Sequence, residues 1–367
     1  MFPLKIRADK VLISINYESS KGGISRVARL MAEAISFDFV MSLYGSKSEN
    51  GVKYYGQKSV RFMRDFLLMI FINRPSLLVF DHVGPASLLA FIPNILLKYK
   101  KIVVFLHDEE AWKKVSKRHS WGLKKASHIL CNSNYTYQKF ISCNPEFKYK
   151  TKVCLLAGVP SSFLTGNLLQ QTNRHHAWID SKNPYCIFVS RLWIEHRYKG
   201  YFELLEAFAL LYKNNTHAKL RLALIGNGDD VDNIKKYIEE NHLEQIVEVF
   251  TGITDNELTT FYKQSSALVF PSIREGFGFV FLEAMFFKKA CIGVKNQPAE
   301  EIIVPGKTGL LLEDNSPVSI LRALQDLELF PEKYKNFGVA GEKLFQENFR
   351  NDHFIQRFLS AIGDQKS

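Results

Sequence analysis

The stretch Pro271-Ser-Ile-Arg-Glu-Gly-Phe-Gly-Phe-Val-Phe-Leu-Glu283 decides how this chain is read. It follows the apolar run Ala267-Leu-Val-Phe270, which has the length of a buried parallel strand, and leads into a helical segment ending near Lys289. Gly276 and Gly278 fall where the chain turns from strand to helix. Glycines there let backbone N–H groups approach a ligand closely, and a helix N-terminus behind them favours an anion such as a pyrophosphate. Glu275 in the loop and Glu283 in the first helical turn are expected to face one crevice. Carboxylates beside an anion site suit hydroxyl groups, those of a sugar on one side and of a ribose on the other. A plain strand–loop–helix junction with a capping glutamate would use the same residues.

Working outward, the chain alternates strands and helices. Val11–Asn16 reads as a first buried strand, with a Lys21-Gly-Gly-Ile24 turn and a helix from Ser25 to about Ile35. Leu77–Phe80, Ile102–Leu106 and His128–Cys131 follow as strands. The pattern restarts with Cys186–Ser190, a helix Tyr201–Asn214, the strands Leu220–Ile225 and Ile246–Phe250, and a helix Asp255–Gln264. Such alternation implies doubly wound parallel sheets, whose ligands bind outside the carboxyl ends of the strands. At 367 residues the chain has material for two domains. The boundaries expected are 1–165, a polar linker 166–182, a second domain 183–348 and a C-terminal helix 349–367 that crosses back to the first.

Charge is unevenly placed. Residues 1–160 carry 25 Lys and Arg against 11 Asp and Glu, a balance of +14, whereas the remainder is at −3. The basic half therefore has an acidic partner or surface in view. Five scattered cysteines without a Cys-x-x-Cys pair suggest structural thiols in a reducing compartment. The first ten residues lack an apolar signal core, and the apolar runs 66–72 and 86–97 are too short to span a bilayer. The expectation is a cytoplasmic protein, in solution or lying on the cytoplasmic face of a membrane.

Glu275-Gly-Phe-Gly278, Glu283-Ala-Met285, the strand Cys291–Val294 and Gly306-Lys-Thr-Gly309-Leu-Leu311 stand in one order over some forty residues. In that order and spacing the chain resembles retaining glycosyltransferases of family 4, with the GT-B fold of two Rossmann-like domains facing a cleft. The resemblance implies transfer of a hexose from a nucleoside diphosphate sugar to a hydroxyl of a saccharide or lipid-linked acceptor, with retention. It gives Glu275 the sugar hydroxyls and the oxocarbenium-like state, and Glu283 the ribose. Arg191, Lys199 and backbone N–H groups at Gly278, Phe279 and Val280 would carry the diphosphate, as would the loop of Gly22 and Gly23 from the opposite domain. His107, closing the strand Ile102–Leu106, would stand near the reacting sugar. Arg197 competes with Lys199 for the role of second cation, because this loop is wider than in many relatives.

Several other readings are set aside. Gly22-Gly23 and Gly226-Asn-Gly228 lack the third glycine of a dinucleotide fingerprint, and Glu301 replaces the first glycine of a P-loop ahead of Gly306-Lys-Thr308. His82 ends a strand as His107 does and reads more readily as structural. No His/Asp/Cys cluster with metal-ligand spacing is read in the sequence, so no metal and no other cofactor is expected. Residues 111–126 concentrate six basic residues and two tryptophans, a pattern suited to an anionic headgroup layer as well as to a solvated face. The stretch 62–72 reads as a core helix or a second surface anchor. Another GT-B enzyme, such as an epimerase or phosphorylase, is the near alternative. A non-enzymatic nucleic-acid or membrane binder would leave the two carboxylates and the glycine turns without a role.

Overall fold

The computed structural model describes residues 8–17, 22–44, 51–56, 58–98, 100–164, 176–179, 183–215 and 217–363. The chain divides into two compact units, Met1–Leu156 with Asn351–Ser367, and Ala157–Arg350.

The first unit is built on β1 (Lys10–Asn16), β2 (Phe39–Tyr44), β3 (Val52–Tyr54), β4 (Leu77–Phe80), β5 (Lys101–Leu106), β6 (His128–Cys131) and β7 (Thr151–Val153). Their order in the sheet is β3-β2-β1-β4-β5-β6-β7, all parallel. The second unit holds β8 (Tyr185–Val189), β9 (Arg221–Ile225), β10 (Val247–Phe250), β11 (Ala267–Val269), β12 (Ala290–Val294) and β13 (Gly309–Leu312). These too are all parallel, in the order β10-β9-β8-β11-β12-β13. Helices cover both faces, so the central strands read as apolar runs rather than alternating ones. Val11–Ile13, Leu78–Phe80 and Cys186–Phe188 have no solvent exposure at all.

In both sheets the winding reverses beside the first strand, between β1 and β4 and between β8 and β11. Crevices outside the carboxyl ends of such strands are where doubly wound sheets bind ligands. The topology thus marks the loops after β1, β4, β8 and β11 before any side chain is considered.

The unit boundary falls at Leu156 rather than near 165, because the segment after it packs on the second unit. Gly158 N–H donates to the Phe349 carbonyl at 2.7 Å, and the Phe163 ring lies against Tyr262 and Phe287. Of the stretch read as linker, only 176–179 lies within the described residues. Trp178 there is no linker residue: its ring packs on Tyr185 and Phe250, with the Arg221 guanidinium 4.1 Å from its centre. The final helix, Asn351–Ile362, belongs to the first unit, where it packs on the helix Gly23–Ala34 and sets Phe354 against Phe105.

Candidate functional site

The loops after β8 and β11 are stitched together at their switch point. The β8 loop ends in Gly200, which takes a left-handed φ of +83° and opens the helix Tyr201–Asn214. A Cβ there would stand 2.5 Å from the Pro271 carbonyl oxygen, so both backbone conformation and close approach require glycine. Ile273 N–H donates to the Tyr198 carbonyl at 3.1 Å. This seam brings Lys199 Nζ to 3.4 Å from Glu275 Oε2, with the ammonium also over the Phe270 ring. Their side chains are 13% and 24% exposed, low enough to limit screening and open enough to meet a ligand. Gly278 follows in left-handed conformation (φ +93°) as the N-cap of the helix Phe279–Phe286 and gives it no side-chain cap. The N–H groups of Phe279 and Val280 thus sit in the first turn, where a helix favours an anion.

Glu283 departs from its expected place. The helix begins at Phe279, which moves Glu283 into the second turn, and its side chain is buried with Oε2 accepting from Tyr262 Oη at 2.9 Å. Tyr262, from the helix Asp255–Gln264, is fully buried. Nothing in the sequence around position 262 announces this pairing, which depends on two helices meeting across β11.

The cations of the β8 loop separate by partner. Arg197 makes a bidentate pair with Asp230, at 2.7 and 2.6 Å, and the same carboxylate accepts from Tyr201 Oη and Asn233 Nδ2. Asp230 is fully buried, and the Arg197 guanidinium holds its carboxyl down at about 2. Arg197 is therefore committed to structure, which leaves Lys199 as the loop cation beside Glu275. Arg191 is exposed, with its guanidinium 5.1 Å from the Trp193 ring centre and no ion pair among the described residues. Gly226 and Gly228 serve the same loop. Added Cβ atoms would lie 1.8 Å from the Ser190 carbonyl oxygen and 1.9 Å from that of Leu192. Leu192 N–H donates to Asn227 O, and Asp230 N–H to Leu192 O. These glycines let two loops of the protein meet, rather than a ligand.

The first unit gathers a second group of side chains at the ends of β4 and β5. Asp81 is fully buried, accepts from Ser14 Oγ at 2.5 Å and from Ile15 N–H at 2.9 Å, and so ties β4 to β1 across the switch point. Burial pushes its carboxyl up to about 7. His107 Nε2 lies 2.6 Å from the Asp81 carbonyl oxygen, which can only accept, so Nε2 carries the hydrogen and Nδ1 the lone pair. Burial, with His82 stacked alongside, lowers His107 to about 4 and keeps it neutral at physiological pH. The Glu110 carboxylate accepts from the N–H groups of His107 and Asp108 and faces His82 Nε2 at 3.8 Å. Burial, reinforced by Glu110, raises Asp108 to about 6. The sequence pointed to His107; Asp81 and Glu110 emerge only once the strands are side by side.

Gly22 caps the helix Gly23–Ala34 in extended conformation. A Cβ there would meet only Ser25 Oγ, at 3.8 Å, so the described residues make no use of its missing side chain. The basic segment resolves into the helix Lys117–Lys125, with Lys113, Lys114, Lys117, Arg118, Trp121 and Lys124 exposed. The helix Ser59–Ile72 buries Phe62, Phe66, Met69 and Ile70 and is a core helix, although Leu68, Phe71 and Ile72 remain exposed. Among the described residues no helix is long and apolar enough to cross a membrane, and no group of three or more His, Cys, Asp or Glu could hold a metal.

Comparison with known proteins agrees with this architecture. The crystal structure of Anabaena Alr3699/HepE in complex with UDP and glucose superposes with a TM-score of 0.77 over 97% of this chain and 100% of that one, at 15% identity. Sucrose-phosphate synthase from Thermosynechococcus elongatus gives 0.74 over 95% and 97%, at 16% identity. At such identities the likeness concerns the fold, and the fold is GT-B. Residues 170–344 match the family model of glycosyl transferases group 1. N-acetyl-alpha-D-glucosaminyl L-malate synthase of Bacillus anthracis is 28% identical over 162 residues, which are 44% of this chain and 41% of that protein. D-inositol 3-phosphate glycosyltransferase of Pseudarthrobacter chlorophenolicus is 27% identical over 185 residues, 50% of this chain and 43% of that protein. The chain thus spans about two fifths of the length of these curated relatives.

Proposed function

We propose that this protein is a retaining, metal-independent glycosyltransferase that moves a hexose from a nucleoside diphosphate sugar to a hydroxyl of a saccharide or lipid-linked saccharide. The observation that carries the reading is the Lys199–Glu275 pair, 3.4 Å apart at the β8/β11 switch point and next to the N-terminus of the helix that Gly278 opens. A sugar diphosphate presents phosphate oxygens and ring hydroxyls on adjacent groups, and this pair offers a cation for one and a carboxylate for the other. As the glycosidic bond breaks, negative charge grows on the departing diphosphate. Lys199, Arg191 and the N–H groups of Phe279 and Val280 are there to take it, so the chain's own cations supply what a metal ion would otherwise provide. Glu275 stabilises the positive charge left on the sugar, and Glu283, held by Tyr262, receives the ribose. Departure and attack on the same face retain the anomeric configuration.

His107, neutral and fixed by Asp81, serves the sugar and acceptor, and Gly22 and Gly23 leave room for phosphate. The basic first unit suits a cytoplasmic enzyme held on an anionic membrane surface, where a lipid-linked acceptor of polysaccharide or lipopolysaccharide assembly would be met. The test is Glu275→Gln assayed by transfer or donor hydrolysis over a panel of nucleoside diphosphate sugars. Turnover should fall about a hundredfold or more, the scale of losing one transition-state charge partner, with nucleotide affinity little changed and activity indifferent to chelator. A variant as active as the wild type, or activity that chelator abolishes and a divalent cation restores, contradicts the reading.

A further inference from the structure

We propose that the turns Ser87–Phe91 and Asn94–Leu96, together with the helix Lys117–Lys125, form an insertion face that seats in the headgroup layer of an anionic phospholipid bilayer. The proposal rests on the peripheral-membrane reading and gives it a place and a mode. It differs from attraction by charge alone, because apolar side chains carry part of the contact.

Two devices lock these elements into one surface. Gly122 faces the backbone of Ala86, where an added Cβ would stand 2.4 Å from the carbonyl oxygen and 2.9 Å from its carbon. The helix can lie this close only because position 122 has no side chain. Lys125 Nζ donates to the carbonyl of Ile92, and lies 3.4 Å from that of Ala90, so a cation of the helix holds the turn from the other side.

On this fixed base three large apolar side chains point to solvent. Phe91 is 61% exposed, Ile95 76% and Trp121 57%. A single exposed apolar residue is ordinary, but a rigid group of them rimmed by cations marks a docking surface. The rim is present: the Arg118 guanidinium lies 5.6 Å from the Phe91 ring centre, and a hollow of about 440 Å³ is lined by Asn94, Lys98, Trp121, Lys124 and Lys125. An aromatic side chain amid lysines suits the boundary between headgroups and acyl chains. Charge complementarity selects the occupant, since residues 1–160 carry 25 basic against 11 acidic residues. A nucleic acid would satisfy the cations but give Phe91 and Ile95 nothing to enter.

The test uses the full chain with vesicles of phosphatidylcholine alone and of phosphatidylcholine with phosphatidylglycerol. Acyl chains carrying bromine should quench the wild-type tryptophan emission on the anionic vesicles, and Trp121→Phe should remove most of that quenching. Phe91→Ser with Ile95→Ser should lower partitioning about tenfold or more, in proportion to the apolar area lost. The melting shift produced by a nucleoside diphosphate should persist in both variants, because none of the three substituted residues is among those placed at the donor. Quenching is read on the unaltered protein, so a poorly folded double variant does not spare the proposal. Anionic vesicles bound without bromine quenching, or equally by wild type and double variant, would overturn insertion and leave attraction by charge standing. No binding to either vesicle overturns both. Tighter binding to an RNA homopolymer that ignores the double substitution would make this a polyanion face and overturn the proposal as well.

Discussion

Arg197 and Lys199 stand two positions apart and do different work. Arg197 spends its guanidinium on the buried carboxylate of Asp230, a partner that cannot be left alone without a large cost. Arg197→Ala should therefore lower the melting temperature by several degrees while a nucleoside diphosphate still raises it; calorimetry with and without nucleotide checks both halves. Asp81 gives a second prediction. Burial places its carboxyl at about 7 in the folded chain, against 3.8 for the free group. Between those values the folded state keeps a proton that the unfolded state has lost, so stability falls as pH rises from about 4 to about 7 and then levels. Asparagine can still accept from Ile15 N–H and donate to Ser14 Oγ, and it does not ionise. Melting temperatures measured over this range should show Asp81→Asn gaining on the wild type as pH rises. A constant difference would mean that Asp81 does not titrate there.

At the scale of elements, the sequence was legible where a run was long and local. Leu77–Phe80, His128–Cys131, Tyr201–Asn214 and Asp255–Gln264 have the bounds their patterns predict, the last opened by a Thr254–Glu257 capping box. β3 and β7 are three-residue strands at the two edges of their sheet, where pairing across the chain, and not local pattern, makes a strand. The motif Gly306-Lys-Thr-Gly309-Leu-Leu311 runs into β13, where Gly309 lies against the Cys291 backbone with no room for a side chain. Glu275, Gly278 and Lys199 could be picked out because glycines flank them. The partners that fix the site, Tyr262 and Asp230, could not, since each meets its mate from a distant helix or loop. The glycines at 226 and 228, set aside as a dinucleotide fingerprint for want of a third glycine, are spent on the protein itself. Gly226→Ala should cost about 3 kcal/mol of stability, the upper range for forcing extra volume into a packed seam, measured by denaturant unfolding. A cost near zero would show that the β8 and β9 loops are not held together as described.

For the molecule as a whole, two parallel sheets supply the two switch points, and chemistry gathers at both. The second unit holds the Lys199–Glu275 pair and the Tyr262-bound Glu283, which we propose meet a sugar diphosphate; the first holds a buried Asp81–His107 group and a basic, apolar-tipped surface. The central claim concerns the donor, and the melting temperature across a panel of nucleoside diphosphates tests it most directly. A ligand that binds only the folded state at a hundred times its dissociation constant adds about 2.7 kcal/mol. At least one diphosphate should therefore raise the transition by several degrees, and Arg191→Ala or Lys199→Ala should remove most of the rise. A wild-type protein that no nucleoside diphosphate stabilises, or variants that respond as fully as the wild type, would contradict the account.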